Sequence, residues 1–379
     1  MIYKKFKDKD LSLLGFGMMR LPVKEDKEID QEQVNLMVDE AIKNGVNYFD
    51  TAYFYLNGKS EISAGIALNR YSRDSYYLAD KFPGNILKGD IHPEEIFEEQ
   101  LKKCNTTYFD FYLLHNLCER TVETYTNPKW GIIDYLVKQK ELGRIKHLGF
   151  SCHAGFDCLK DFLTKYKDVF EFVQLQVNYL DWTKQKAKDK CELVNSFGLP
   201  VWVMEPVRGG KLANFNEEIT SKFKKYRKDE SVASWGFRFL QSKDYIGMIL
   251  SGMSSIDQVK DNLKTFEEYK PLNEEEYKLL DEIVDYLKDD VPCTECKYCV
   301  NECPMKLEIP KFMEIYNNFR SYISKNDIDY INALDDNHKP TACLACSKCT
   351  KVCPQGIKIP TILASVSETY KNNKWTRFH

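Results

Sequence analysis

Eight short apolar or β-branched runs recur along the first 290 residues: Leu11–Gly17, Val46–Asp50, Tyr76–Asp80, Phe109–His115, His147–Ser151, Phe172–Val177, Pro200–Glu205 and Ile246–Gly252. Between them, apolar residues repeat at helical spacing over 31–44, 92–104, 131–142, 183–197 and 256–266. Strands separated by helices predict an α/β fold with a parallel sheet. Eight such units in about 270 residues fit a (β/α)8 TIM barrel. The rival, a doubly wound open sheet, would want Gly-x-Gly-x-x-Gly after an early strand. Leu14-Gly15-Phe16-Gly17-Met18-Met19 does not complete that pattern.

Beyond residue 290 the pattern changes, and cysteine takes over. Five of the thirteen cysteines (104, 118, 152, 158 and 191) are scattered through the first part. The other eight form two runs: Cys293, Cys296, Cys299 and Cys303-Pro304, then Cys343, Cys346, Cys349 and Cys353-Pro354. The runs repeat at an offset of fifty residues, and the repeat extends to Ile309-Pro310 and Ile359-Pro360. Three closely spaced thiolates can wrap one face of an iron–sulfur cube, while a fourth followed by proline is directed to the other cluster. The expectation is two 4Fe–4S clusters. Cys293, Cys296, Cys299 and Cys353 would hold one, and Cys343, Cys346, Cys349 and Cys303 the other. Zinc fits a triple C-x-x-C-x-x-C run poorly, because its sites take four ligands in two pairs.

The thirty-nine residues between Cys303 and Cys343 are longer than a compact bacterial ferredoxin uses. They predict a helix over 310–324 with Pro310 in its first turn, and Pro360 opens its counterpart over 360–371. This part resembles the α-helical ferredoxin modules of the fumarate reductase type, over about ninety residues. The division is expected at a barrel of 1–288 and a module of 289–379. The polar tail from Lys371 to His379 is expected to fray or to fold against the barrel.

Composition narrows the class. With 43% hydrophobic residues the 379-residue chain can build a sizeable core. Its 54 basic and 57 acidic residues provide no polycation for nucleic acid. Two uncharged stretches reach twelve residues, 193–204 and 245–256, too short to span a bilayer. The first twenty residues show no secretory pattern, so a cytoplasmic protein is expected, where disulfides do not explain the cysteines. From Val291 onward twelve basic and nine acidic residues leave +3. Two clusters with their thiolates would bring that module near neutrality, with no strongly charged docking face.

Barrel chemistry sits at the C-terminal ends of strands. Asp50 ends strand two, Tyr55 lies five residues on, Lys81 follows strand three, and His115 ends strand four. Asp50-Thr51-Ala52-x-x-Tyr55 with Ser60-Glu61, then Lys81 and Tyr112-Leu113-Leu114-His115, resembles the aldo-keto reductase signature, and the likeness runs from about Leu13 to Asn262. The resemblance implies reduction of an aldehyde or ketone, or oxidation of the alcohol. Tyr55 would supply the proton. Its ordinary pKa near 10 is too high for easy exchange, and a Lys81 ammonium held by Asp50 would lower it. His115 would donate a hydrogen bond to the substrate oxygen.

Further positions carry over from the family one by one. Ser151 and Gln174 would hold the nicotinamide amide, although Cys152 replaces the usual Asn after Ser151. Met204 stands where an aromatic commonly stacks on the nicotinamide. Ser254 and Ser255 open a helix whose N-terminus could bind a phosphate, Asn262 matches an adenine contact, and Gln258 replaces the Arg of NADPH-preferring relatives. NAD(P)H is therefore the expected cofactor, with flavin as the rival, because passing electrons to clusters needs a group that handles them singly. The implied partners are a small carbonyl or alcohol substrate and a redox partner such as a ferredoxin. The alternative is an electron-transfer, adaptor or sensor protein whose barrel binds a ligand without turnover. Substrate choice is expected from residues 116–130, with Cys118, Tyr125 and Trp130, and from 207–230. Cys104, Cys158 and Cys191 read as small core residues. Cys118 and Cys152 read as thiols on loops at the mouth.

Overall fold

The computed structural model describes residues 1–84, 86–87, 89–215, 217–287, 290–321 and 325–373. The boundary expected between 288 and 289, the end of the helix expected over 310–324, and tail residues 374–379 lie outside the described residues. The chain forms two units, one of Met1–Val207 with Leu212–Asp281, the other of Arg208–Lys211 with Glu282–His379.

The first unit opens with an antiparallel hairpin, β1 (Tyr3–Phe6) and β2 (Lys9–Ser12). Eight parallel strands follow: β3 (Leu14–Gly17), β4 (Tyr48–Asp50), β5 (Tyr77–Phe82), β6 (Phe109–Leu117), β7 (Ile145–Cys152), β8 (Val173–Gln176), β9 (Val201–Met204) and β10 (Ile246–Gly252). They pair in sequence order, and β10 returns to β3 with Ile249 opposite Leu14, closing the barrel. Most strands fall within a few residues of the apolar runs that predict them. The first run is the exception. It breaks at Leu13, where Ser12 Oγ donates to the Leu14 carbonyl (2.8 Å) and Asn47 Oδ1 accepts from the Ser12 amide (2.9 Å).

The helices α1 (Gln31–Lys43), α2 (Ser60–Leu68), α3 (Pro93–Lys103), α4 (Val122–Thr126), α5 (Ile132–Glu141), α6 (Phe156–Tyr166), α7 (Asp181–Lys184), α8 (Ala187–Ser196), α9 (Glu217–Tyr226), α10 (Val232–Gln241) and α11 (Ile256–Glu267) lie between and after the strands. Their ends follow local rules. Asp30 caps α1 by accepting from the Gln33 amide, and Ser255 caps α11 by accepting from the Gln258 amide. Pro93 opens α3, with Glu94 and Glu95 in its first turn and Lys102 and Lys103 in its last, each sign suited to the helix dipole. The segment 207–230, read as a loop, contains α9.

Inside the barrel, Tyr48, Phe111, Phe172, Trp202 and Met248 come from the early part of their strands or just before it, so they fill its N-terminal floor. Phe6 of the hairpin enters this cluster. Its ring meets Trp202 edge-on at 5.1 Å and His147 at 5.0 Å. The hairpin is thus the floor's plug, leaving the opposite end of the barrel for chemistry.

In the second unit, α13 (Tyr298–Asn301) carries Cys299, the last of the first triplet, and leads to α14 (Ile309–Ser321); α15 (Lys325–Asn332) intervenes, and α16 (Lys348–Val352), carrying Cys349, and α17 (Ile359–Asn372) repeat the pattern. α12 (Glu274–Leu287) contains the division between the units. Phe312, Met313 and Ile315 of α14 pack with Leu363 and Val366 of α17 in the module's own buried core.

Phe6→Ala should remove the plug and lower barrel stability by about 3–5 kcal/mol, read as an earlier urea midpoint. A loss under about 1 kcal/mol would show that the floor closes without it.

Candidate active site and metal centre

Barrel register brings the four predicted catalytic side chains together at the C-terminal end. Lys81 has no exposed surface, and its Nζ donates to Asp50 Oδ1 (2.5 Å) and to the Thr51 carbonyl (2.6 Å). The same ammonium lies 4.8 Å from the centroid of the Tyr55 ring. The His115 ring meets Tyr55 edge-on at 5.7 Å and stacks on Phe54 at 4.8 Å. Tyr55 is only 8% exposed.

Burial governs the titration of this group. It raises Asp50, and Lys81 opposes that rise. It drives His115 well below the ordinary range, assisted by the Lys81 charge, so the imidazole is neutral and its buried Nδ1 has no partner among the described residues. Tyr55 differs from expectation: burial, then the charges of Asp50, Glu205 and Asp80, push its phenol well above 10. The ammonium faces the ring rather than being spent on the hydroxyl, and Asp50 compensates its charge. Arg20, 3.8 Å from Glu205, acts in the lowering direction.

Several contributors carry no motif. Behind Lys81, Gln100 Nε2 donates to the Lys81 carbonyl (3.1 Å) and to Glu61 Oε1 (3.0 Å), and Gln100 Oε1 accepts from Tyr112. Glu61 and Asp80 are buried carboxyls, both raised first by burial, and Lys103 reaches Glu61 at 3.2 Å. Gln100 and Tyr112 are at helix and strand positions that periodicity assigns only to packing. Tyr125, expected in a substrate loop, is buried instead. Its hydroxyl donates to the carbonyls of His115 (2.5 Å) and Phe82 (3.1 Å), tying β6 to β5.

The expected cofactor positions are distributed over the ends of β7 to β10. Ser151 Oγ accepts from the Asn116 amide (2.8 Å). Gln174 is buried, and its Oε1 and the Asn116 Oδ1 find no partner among the described residues. Two buried acceptors in want of donors suit a carboxamide. Met204 is half-buried at the end of β9. Gln258 Oε1 accepts from the Ser254 amide (2.7 Å), closing the turn before α11, and Asn262 Nδ2 donates to Ser251 Oγ (2.8 Å). Cys152 is buried in β7, with its thiol raised to about 12 by burial, and Cys118 and Cys104 are buried. Burial holds the Cys152 and Cys104 thiols protonated, so neither is an activated thiolate.

The eight C-terminal cysteines surround two cavities. Cys293, Cys296, Cys299 and Cys353 line one, and Cys303, Cys343, Cys346 and Cys349 line the other. The fourth cysteine of each run thus faces the triplet of the other. Each set of four thiols rings a space, the arrangement in which an iron–sulfur cube is held. Glu295 and Lys297 adopt left-handed backbone (φ 56° and 63°), as do Ala345 and Ser347 (φ 50° and 59°). Such residues cost about 1–2 kcal/mol each outside glycine, and here the same two positions bend both triplets around a centre. The Glu295 and Ala345 backbones hydrogen-bond to the Cys293 and Cys343 thiols. Burial, with Cys296 and Cys353 adding, raises Cys293 to about 12, a penalty that metal ligation of the thiolate removes.

Comparison with known proteins agrees with this geometry. The Aldo/keto reductase family profile matches residues 13–285, and a 4Fe-4S dicluster domain profile matches 292–357. The uncharacterized oxidoreductase YqkF of Bacillus subtilis is 24% identical over 72% of this chain and 92% of its own. The NADH-specific methylglyoxal reductase of Escherichia coli is 25% identical over 46% of this chain and 56% of its own. In fold, the holo form of aldo-keto reductase AKR11C1 from Bacillus halodurans superposes with a TM-score of 0.60 at 24% identity, covering 75% of this chain and 96% of its own. An aldo/keto reductase from Klebsiella pneumoniae in complex with NADP and acetate has a TM-score of 0.59 at 19% identity, covering 73% and 92%.

A pH dependence follows from the buried imidazoles. Burial lowers His115, and it brings His153 down to about 4. The unfolded chain takes up these protons near pH 6.5, the folded one only lower. Barrel stability should therefore hold above pH 6.5 and fall as pH drops from 6.5 toward 4. Urea midpoints by tryptophan fluorescence should show this slope, and His153→Asn should flatten it; an unaltered slope in that variant would contradict the assignment.

Proposed function

The chain belongs to the aldo/keto reductase family, and from that premise we propose that this oxidoreductase reduces an aldehyde or ketone at the mouth of its barrel, with Tyr55 as the proton donor. The observation that carries the reading is the buried Lys81 ammonium, 2.5 Å from Asp50 and 4.8 Å from the Tyr55 ring. A buried charge is retained when it is paired, and the tyrosine and neutral histidine beside this pair suit carbonyl reduction. The neutral His115 imidazole donates a hydrogen bond to the carbonyl oxygen and orients it. Tyr55 keeps its proton at neutral pH and releases it from Oη to that oxygen as negative charge develops there. Lys81 then faces a forming phenolate, which it favours. Asp50 holds Lys81 in place, and the Gln100 contact fixes the backbone beneath it.

A nicotinamide cofactor, when bound, supplies the hydride to the carbonyl carbon. Gln174 and Ser151 would hold its carboxamide, Met204 would border the ring, and Ser254, Ser255, Gln258 and Asn262 would meet the nucleotide end. The unsatisfied Gln174 and Asn116 acceptors support that placement. Binding of NADP by the Klebsiella pneumoniae protein supports the cofactor class.

In the second unit the reading is two 4Fe–4S clusters ligated across the repeat, by Cys293, Cys296, Cys299 and Cys353 and by Cys343, Cys346, Cys349 and Cys303. The two cavities, each lined by one triplet and the other run's fourth cysteine, support it.

Tyr55→Phe should lower the rate of carbonyl reduction by about 10²–10⁴ while leaving cofactor binding by fluorescence titration within a few-fold; retained turnover would remove Tyr55 as the acid. Anaerobically isolated protein should contain about eight irons. Cross-repeat ligation adds a sharper expectation. Cys303→Ala combined with Cys346→Ala should lose no more iron than either alone, whereas Cys303→Ala with Cys296→Ala should lose nearly all. The reverse pattern would assign each run to its own cluster.

A further inference from the structure

The two cysteine runs repeat each other in spacing and backbone, yet they differ in exposure and charge. Around the first triplet, Thr294 is buried and Cys296 and Tyr298 are half-buried. That run carries one lysine, Lys297, against two glutamates, Glu295 and Glu302. Around the second, Leu344, Ala345, Cys346, Ser347 and Lys348 are all exposed, and Lys351 follows. No acidic residue occurs from Ala342 to Gly356. Leu344 is 63% exposed, more than any other large hydrophobic among the described residues, and it lines the cavity ringed by Cys303, Cys343, Cys346 and Cys349. Beside Cys303, the remaining cysteine of that cavity, exposed Lys306 lies between exposed Glu302 and Glu308, so the cationic character belongs to the Ala342–Gly356 loop. The module's near-neutral total therefore conceals a local cationic rim around an apolar tip.

An exposed apolar contact inside a charged rim is the anatomy of a small protein interface. Weak redox encounters use small interfaces, with charge steering the approach. We propose that the Leu344–Lys351 segment is the docking surface for a small acidic one-electron carrier protein, which exchanges electrons with the cluster held by Cys303, Cys343, Cys346 and Cys349. This rests on the two-cluster reading above. In each encounter one electron leaves the reduced carrier and takes the cluster from its 2+ to its 1+ state. No bond is made or broken, no proton moves, and the oxidised carrier departs; the reverse transfer restores both. The occupant follows from charge, since the exposed Lys348 and Lys351, in a loop with no carboxylate from Ala342 to Gly356, select an acidic face.

The test uses the anaerobic full-length holoprotein and a reduced acidic 2Fe–2S ferredoxin as the probe, with cluster bleaching followed by stopped flow. The second-order rate should fall about tenfold from low to moderate salt. Lys348→Glu with Lys351→Glu should slow it about tenfold at low salt and abolish the salt dependence, with dithionite reduction unchanged. Lys358→Glu, at an exposed lysine that lines neither cavity, should leave the rate as it was. Carbodiimide should cross-link the probe to Lys348 or Lys351. A salt-independent rate, equal slowing by Lys358→Glu, cross-links confined elsewhere, or capture of the protein by anionic phosphatidylserine vesicles through these lysines without transfer would each overturn the proposal. If the double variant loses iron, Lys351→Glu alone, outside the Cys343–Cys349 triplet, carries the same expectation. Wild-type protein with only about four irons would sink the cluster reading itself, whereas eight irons with unaltered variant rates would sink the docking surface alone.

Discussion

An ammonium group with no exposed surface must be compensated where it lies, and in the barrel that requirement organises the mouth. Lys81 is paired by Asp50 from the neighbouring strand β4 and by the Thr51 carbonyl one residue on. The pairing needs strand register: Asp50 lies opposite Ala79, two residues before Lys81. Barrel closure supplies the register, and the hairpin plug at the floor keeps the opposite end available. Every other feature of the site refers to this charge. His115 is neutral partly because of it, Tyr55 presents its ring to it, and Gln100 holds the backbone from which it projects.

The second unit solves a different problem with similar economy. Eight thiols must be aimed at two centres by a chain of about ninety residues. Left-handed backbone at Glu295, Lys297, Ala345 and Ser347 aims the triplets, and the prolines after Cys303 and Cys353 turn the chain away toward α14 and α17. Residues that tolerate such backbone poorly are accepted where a site requires them. Cluster ligation would stabilise the thiolate forms that burial otherwise penalises, so the module's fold and its metal content belong to one equilibrium.

The two units handle electrons in different numbers. The barrel's tyrosine, histidine and lysine suit transfer of a hydride, two electrons with a proton. The cysteine cavities suit one electron at a time. Duplication made the two cysteine runs alike in spacing, while exposure separated them. One triplet is partly covered, and the other presents Leu344 and its lysines to solvent, which a net charge summed over the module cannot reveal.

Much of this was legible from residue order. Short apolar runs and period-3.6 patterns identify the strands and helices of the barrel, because its strands are buried on both faces and its helices on one. Cysteine spacing marks the iron–sulfur domain because three thiolates on one loop have few other uses. The same logic failed at Leu13, where a single apolar run hides a bend, held by Ser12 and Asn47, that separates two strands. It failed again at Tyr125, whose hydroxyl serves strand carbonyls rather than substrate. Sequence by itself determined which residue types were present, their spacing and so the kinds of chemistry available. Only the tertiary structure decided which way Tyr55 titrates, that Gln100, Glu61 and Asp80 support Lys81, and which cysteine loop faces solvent. Those properties depend on desolvation and on charges brought together from distant parts of the chain, and distance in space has no counterpart in spacing along a sequence.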